Sequence, residues 1–124
     1  MIDRQWALDF AREWIDAWNA HDMERILTHY ADDFEMASPL IVERLGVPAG
    51  RLRGRNAVRD YWLPCLSLHP PLRFELIDVF AGVDTITLYY RHVGRRRVAE
   101  TLFFNSAGQV TQGVSQWSTS VESE

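Results

Sequence analysis

The predominant hydrophobic pattern of the chain changes at His69-Pro70-Pro71 from helical spacing to extended alternation. Upstream, apolar residues recur at the spacing of one face of an amphipathic helix. Downstream come four segments rich in β-branched and aromatic residues, RFELIDVFA, TITLYYRHV, RVAETLFFN and QVTQGVSQWST. The short glycine-containing turns between them predict consecutive antiparallel strands. Helices followed by strands predict an α+β fold.

Two of the three expected helices have clear ends. The first covers residues 4–19, with Asp3 as its cap, and carries the aromatic face Trp6, Phe10, Trp14 and Trp18. The last covers residues 55–63 and ends at Pro64, because proline lacks an amide donor. Between residues 39 and 54, glycine and proline interrupt any regular element. We expect either a lid over a cavity or a compact loop packing Leu40, Ile41 and Leu45.

The remaining helix lies in the stretch HDMERILTHYADDFEMASP. Asp22 is the expected cap, and the apolar residues from Met23 to Tyr30 fall on one helical face. The acidic turn Ala31-Asp32-Asp33 is expected to end this helix, and a short strand is expected over residues 34–38. Adjacent carboxylates in such a turn favour a capping role over acid/base chemistry.

Composition limits the classes of function. The chain has 124 residues, 47% of them hydrophobic, and a net charge of −4, which indicates one folded domain without a broad nucleic-acid or membrane footprint. All 13 basic residues are arginine, which excludes Schiff-base chemistry through lysine. The single cysteine excludes an internal disulfide, and the four histidines lack metal-ligand spacing. We therefore expect no metal, no cofactor, no signal peptide or membrane span, and a cytoplasmic location.

A buried acid is the main chemical candidate. Glu100 stands in an otherwise apolar strand. If the preceding turn centres on Gly94-Arg95, Tyr89 lies opposite Glu100, and alternation places Tyr89 and Arg91 on its face. The triple-arginine run at this turn, residues 95–97, is expected to be a solvated hairpin tip.

The state of Glu100 depends on its neighbours. An unpaired buried carboxylate has a raised pKa and donates a proton or hydrogen bond. If the Arg91 side chain points into the cavity, it would keep Glu100 ionised and favour a role for Glu100 as a base. If Arg91 points outward, Glu100 is better interpreted as an acid. A third alternative is a cross-sheet ion pair without chemistry.

The segments YADDFEMASP, GRNAVRDYW and AETLFFNSAG resemble the nuclear transport factor two-like superfamily, in particular its SnoaL-like and ketosteroid isomerase-like branches. The resemblance covers nearly the whole chain. It implies a cone-shaped, curved antiparallel sheet of four main strands plus a short strand, packed against three N-terminal helices. It also places Glu100 at the oxyanion-hole aspartic acid of ketosteroid isomerases.

The same matching departs from those isomerases at three positions. Ser38 stands where they have the catalytic base, Trp14 where they have the oxyanion-hole tyrosine, and Trp62 where they have its supporting tyrosine. Serine cannot shuttle a proton between carbons near neutral pH. We therefore do not expect true steroid isomerase activity.

The resemblance implies a cavity that takes a small hydrophobic, ring-containing ligand. Its expected catalytic residues are Glu100, Tyr89 and Arg91. The expected ligand-binding residues are Trp14, Trp18, Met36, Ser38, Trp62, Leu102 and Trp117. An acid/base enzyme for isomerisation, cyclisation or hydration is the leading hypothesis; a non-catalytic binding protein and a protein-interaction module are the alternatives. A homodimer through the outer sheet face is also implied.

Overall fold

The computed structural model describes residues 1–120. Its helices are α1 (Arg4–Asn19), α2 (Met23–Leu27), α3 (Pro39–Leu45) and α4 (Arg55–Trp62), followed by a short 3₁₀ helix (Leu63–Ser67). Its strands are β1 (Tyr30–Ala37), β2 (Arg51–Arg53), β3 (Phe74–Ala81), β4 (Thr85–His92), β5 (Arg96–Phe104) and β6 (Val110–Trp117). The predicted α+β class is confirmed. Within residues 1–120, no helix is long and apolar enough to cross a membrane. The predicted polar tail, residues 118–124, lies partly outside the described residues.

Helix α1 has the predicted bounds and cap. The Asp3 carboxylate accepts a hydrogen bond from the Trp6 amide at 2.9 Å, which satisfies one of the amides that the first turn leaves unpaired. Its inner face buries Phe10, Trp14 and Trp18, whereas Trp6 remains 40% exposed. The aromatic stripe read from the sequence is therefore the face that packs on the sheet.

Helix α2 begins as predicted but ends early. Asp22 caps it by accepting from the Arg25 amide at 3.2 Å. The helix stops at Leu27, and Tyr30 is the first residue of β1 rather than part of the helix. The Val110 amide donates to the His29 carbonyl at 2.9 Å, so pairing with β6 takes the backbone groups that a longer helix would have used.

The segment expected as a loop begins with a helix. Ser38 caps α3 by accepting from the Leu40 amide at 3.2 Å, and Pro39 occupies the first turn. Gly46 ends the helix in the left-handed region, with φ of 65°. A short strand, β2, follows and pairs with β1. The prediction that residues 39–54 form a loop was therefore wrong at α3 and at β2.

The sheet has six strands in the order β2-β1-β6-β5-β4-β3. The predicted antiparallel meander from β3 to β6 is confirmed. The sheet also contains β1, which runs parallel to β6, and the short β2. It therefore has six strands rather than the predicted four main strands plus one short strand, and it is not wholly antiparallel. A bulge between Leu76 and Asp78 breaks the alternation of side chains in β3. Such bulges help the sheet to curve over the helices.

The predicted register between β4 and β5 was wrong by one residue. The turn contains three residues, 93–95, so His92 pairs with Arg96 and Leu88 pairs with Glu100. A one-residue slip moves every side chain to the opposite face. Glu100 therefore shares its face with Leu88 and Tyr90, while Tyr89 and Arg91 lie on the other face.

Candidate functional site

A pocket of about 370 Å³ opens between the concave face of the sheet and the helices. Its volume falls within the ~300–1,000 Å³ typical of small-molecule sites. Its walls include side chains of α1, α3, α4, the 3₁₀ helix and five strands, β1 and β3 to β6. The aromatic wall residues are Trp14, Trp18, Tyr61, Trp62, Phe74, Tyr90 and Trp117.

Glu100 is the carboxylate in this wall, and it is only 3% exposed. Its position in the middle of β5 holds its side chain on the concave face. The Tyr90 hydroxyl donates a hydrogen bond to its Oε1 at 3.1 Å, and Ser115, its neighbour on β6, hydrogen-bonds to the same carboxyl group. Two adjacent strands therefore position one acid.

Burial raises the pKa of Glu100 from its usual 4.5 to about 7, because the charged form loses its hydration. The hydrogen bonds from Tyr90 and Ser115 oppose this rise. No arginine is among the groups that act on this pKa. Glu100 thus exchanges between acid and carboxylate near neutral pH, where a general acid or base works best.

Three tyrosine hydroxyls lie in the electrostatic range of Glu100: those of Tyr30, Tyr61 and Tyr90. Burial is the largest cause that raises the pKa of each, so all three remain protonated donors. The Trp14 indole donates to the Tyr30 hydroxyl at 2.9 Å. The Trp14 N–H is consequently already used inside the protein.

Trp18 differs from Trp14 in this respect. It lies in the pocket wall and is 4% exposed, and its buried Nε1 has no hydrogen-bond partner among residues 1–120. A buried donor without an acceptor costs free energy, about 1–3 kcal/mol. An acceptor on a bound molecule would remove that cost.

Ser38 both caps α3 and lines the pocket. Its hydroxyl caps α3 and also hydrogen-bonds to Tyr61, and the residue is 8% exposed. A capping serine is held in place, and it has no general base in these contacts. Ser38 is thus suited to shaping the wall rather than to moving protons.

The mouth of the pocket is basic. The exposed side chains of Arg44 and Arg95 and the half-buried side chain of Arg96 line it. The Arg96 guanidinium lies 3.5 Å from the centroid of the Trp117 ring. His92 is also part of this wall, and burial followed by the charges of Arg95 and Arg96 lowers its pKa to about 4. His92 is therefore neutral at neutral pH.

The structure brings most of the predicted binding residues to the pocket. Those that line it are Trp14, Trp18, Met36, Ser38, Trp62 and Trp117. Leu102 does not line the pocket: it is fully buried, and its Cδ2 lies 3.2 Å from the position that a Cβ on Gly113 would take. Tyr89 and Arg91 are also outside it, on the opposite sheet face. The Tyr89 hydroxyl there accepts a hydrogen bond from Arg97 at 2.7 Å.

Several wall residues were missed from the sequence. The predicted register places Tyr90 on the wrong face, and a solvated tip does not predict that Arg95 and Arg96 also line the pocket. Arg44 follows Leu40 by four residues on α3, so one face of this helix turns both toward the pocket. The signal for α3 was present, since Ser-Pro followed by an apolar run and glycine is a helix start and stop.

Comparison with known proteins agrees with this geometry. The SnoaL-like domain family model matches residues 11–119. A SnoaL-like protein of unknown function from Burkholderia thailandensis is 45% identical, with a TM-score of 0.91, over 94% of this chain and 98% of its own. No curated protein sequence matches the chain.

Two more distant structures share the fold alone. AclR, a putative hydroxylase from Streptomyces galilaeus, is 18% identical with a TM-score of 0.69, over 94% of this chain and 91% of its own. SalBIII, an epoxide hydrolase/cyclase-like enzyme in pyran ring formation in the polyether salinomycin, is 16% identical with a TM-score of 0.71, over 96% of this chain and 95% of its own. The extent of the family match and of the Burkholderia relative shows that this chain belongs to the SnoaL-like domain family.

Proposed function

We propose that this protein binds a small, ring-containing hydrophobic metabolite and acts on it by acid/base chemistry, with Glu100 as the group that transfers the proton. Isomerisation, cyclisation and hydration are the reaction classes that such a group serves. The single observation that carries the proposal is a buried carboxyl group, without a cationic partner acting on its pKa, in the wall of an aromatic pocket.

The surroundings of Glu100 favour its role as an acid. Arg91 lies on the opposite face, so it does not hold Glu100 in the ionised form. With a pKa of about 7, a large fraction of the group carries a proton at neutral pH. The Tyr90 hydroxyl donates to one oxygen and stabilises the carboxylate that remains after proton transfer. Tyr90 thus takes the supporting place that sequence reasoning gave to Tyr89.

Trp18 provides the second proposed contact with the ligand. Its unpartnered indole N–H lies in the same wall as Glu100. A carbonyl, ether or epoxide oxygen on the ligand would accept this hydrogen bond and orient the ring between Trp14, Trp62 and Phe74. Apolar walls supply affinity in such pockets, while a few polar groups set orientation.

The two distant structures are consistent with this reaction class. AclR is described as a putative hydroxylase and SalBIII as an epoxide hydrolase/cyclase-like enzyme, so the two descriptions differ. The shared fold therefore supports an enclosed site for ring chemistry and does not select the reaction.

The test is hydrogen exchange and turnover. Purified protein in deuterated buffer is incubated with a panel of cyclic ketones, phenols and epoxides, and deuterium uptake and new products are followed by mass spectrometry. We expect wild-type protein to convert or exchange at least one compound, Glu100→Gln to lose at least about 100-fold in rate, and Glu75→Gln to retain activity. Glu75 is exposed on β3, outside the pocket wall, and matches the chemical change.

Binding measurements separate the alternatives. A compound that binds wild-type protein and Glu100→Gln equally well, with no exchange in either, would replace the enzyme by a non-catalytic binding protein. No binding by any compound would contradict both and favour an interaction module.

A further inference from the structure

The mouth of the pocket differs chemically from its interior. The inner walls are aromatic and apolar, with Glu100 buried among them. The outer rim carries the guanidinium groups of Arg44, Arg95 and Arg96. Because the whole chain has a net charge of −4, this positive rim is a local arrangement and not a consequence of overall composition.

Three separate elements contribute these cations. Arg44 comes from the last turn of α3, Arg95 from the β4–β5 turn and Arg96 from the first residue of β5. The charges of Arg44 and Arg95 both act on the Cys65 thiol, and those of Arg95 and Arg96 both act on His92. The fields of the three therefore overlap at one opening.

Within the described part of the chain, no carboxylate pairs with the cations at the rim. None of the ion pairs found among residues 1–120 involves Arg44, Arg95 or Arg96. The Arg44 Nη1 donates to the Cys65 Sγ at 3.0 Å, and a thiol is only a weak, neutral acceptor. Closely spaced cations without carboxylates favour the binding of an anion between them.

Arg96 is held against an aromatic ring. Its guanidinium lies over the Trp117 ring, with its carbon 3.5 Å from the ring centroid. An arginine stacked on an aromatic face keeps its N–H edge available, and that edge matches the two oxygens of a carboxylate. Both Arg96 and Trp117 line the pocket, so this guanidinium borders the space that a ligand would occupy.

We infer that the ligand is a ring-containing carboxylic acid, with its ring in the aromatic interior and its carboxylate at the rim formed by Arg44, Arg95 and Arg96. This inference rests on the proposed small-molecule pocket and specifies its substrate class. The arrangement also fixes the orientation of the ligand: its carboxylate stays at the opening, and its ring end reaches Glu100 and Trp18. Chemistry then occurs on the part of the ligand remote from its carboxylate.

The experiment compares 2-naphthoic acid with 2-naphthamide, which has the same ring system without the charge, by isothermal titration calorimetry. It is carried out at about pH 6, where naphthoic acid is ionised and Glu100 is mostly protonated. We expect the acid to bind wild-type protein at least about tenfold more tightly than the amide. Raising the salt concentration should weaken binding of the acid and leave the amide unchanged.

The variants are Arg44→Gln, Arg95→Gln and Arg96→Gln, with Arg12→Gln as the control. Arg12 is exposed on α1 and lies outside the pocket wall. Arg12→Gln therefore changes the net charge by the same amount as each rim variant without altering the pocket. Each rim variant should weaken binding of the acid by about three- to tenfold and binding of the amide by less than about twofold. The salt dependence of wild-type protein gives an independent result should a variant fold poorly.

The outcomes separate this inference from the proposed function. If the amide binds as tightly as the acid, or if the rim variants weaken both alike, the carboxylic acid assignment is overturned while the pocket stands. If neither compound binds wild-type protein while the cyclic ketones and phenols do, the assignment alone fails. If nothing binds, both fail.

Discussion

The hydroxyl of Tyr90 donates a hydrogen bond to Oε1 of Glu100 at 3.1 Å, from the strand adjacent to its own. Both residues are buried, at 5% and 3% exposure. This contact exists because the β4–β5 turn has three residues, which pairs Leu88 with Glu100 and sets Tyr90 diagonally beside it. In the function that we propose, this donor and this acid form the chemical centre of the pocket.

The stability of the protein should depend on the ionisation of Glu100. Its pKa is raised from 4.5 to about 7 in the folded chain, so the native state binds this proton more tightly than the unfolded state does. The stability it contributes is complete below about pH 4.5 and is lost as pH rises through about 7, a change on the order of 3 kcal/mol. Urea unfolding of wild type and Glu100→Gln across this range should therefore show wild type losing stability relative to the variant. Parallel curves would contradict the burial of this group.

Removing the Tyr90 hydroxyl should shift the titration of Glu100. The hydrogen bond lowers the pKa of Glu100, so Tyr90→Phe should raise it further and move the stability transition to higher pH. The variant should also lose about 1 kcal/mol of stability at high pH. Tyr89→Phe is the matched control, because its hydroxyl contacts Arg97 on the opposite face. Equal shifts in the two variants would mean that the register is wrong.

The α1 cap, the meander and the buried acid follow from local patterns, and all three are present. The partner of Glu100 could not be predicted in this way. Lengthening the turn from two residues to three exchanges the sheet faces on which Tyr89 and Tyr90 lie relative to Glu100, and the hydrophobic pattern of each strand stays the same.

Long-range pairing explains another error. Tyr30 fits the helical spacing of α2 but belongs to β1, whose pairing with β6 involves residues about eighty positions away, such as Val110. The rim of the pocket was missed for a related reason. Arg44 and Arg95 are distant in sequence, and only the folded chain places their charges around one opening.

Gly113 is expected to be required for packing beneath the pocket. A Cβ at this position would lie 3.2 Å from both the Leu102 Cδ2 and the Met36 Sδ. Gly113→Ala should therefore cost about 1–3 kcal/mol through overpacking. Combining it with Leu102→Ala, which alone should cost about 2–5 kcal/mol, should give less than the sum of the two, because the smaller side chain makes room. Urea unfolding of the four proteins measures this, and strict additivity would contradict the contact.

We propose that the protein forms a homodimer through the outer face of the sheet. This face presents Thr87 and Thr101, whose hydroxyls are hydrogen-bonded at 3.0 Å, next to Tyr89 and the partly exposed Phe103. Sedimentation at micromolar concentration should show a dimer for wild type and a monomer for Thr101→Arg, since an arginine there would be buried without a partner. A wild-type monomer of 14.4 kDa would contradict the proposal.

The most direct test of the central claim is the affinity for a neutral cyclic ketone as a function of pH. Four of the five tryptophans line the pocket, so their fluorescence should report occupancy. We expect saturable quenching in wild-type protein, with affinity falling by about tenfold as pH rises through about 7 and Glu100 stops donating a hydrogen bond to the carbonyl. Glu100→Gln should bind with no such pH dependence. The same pH profile in both proteins, or no quenching in either, would show that Glu100 is not the working group of this pocket.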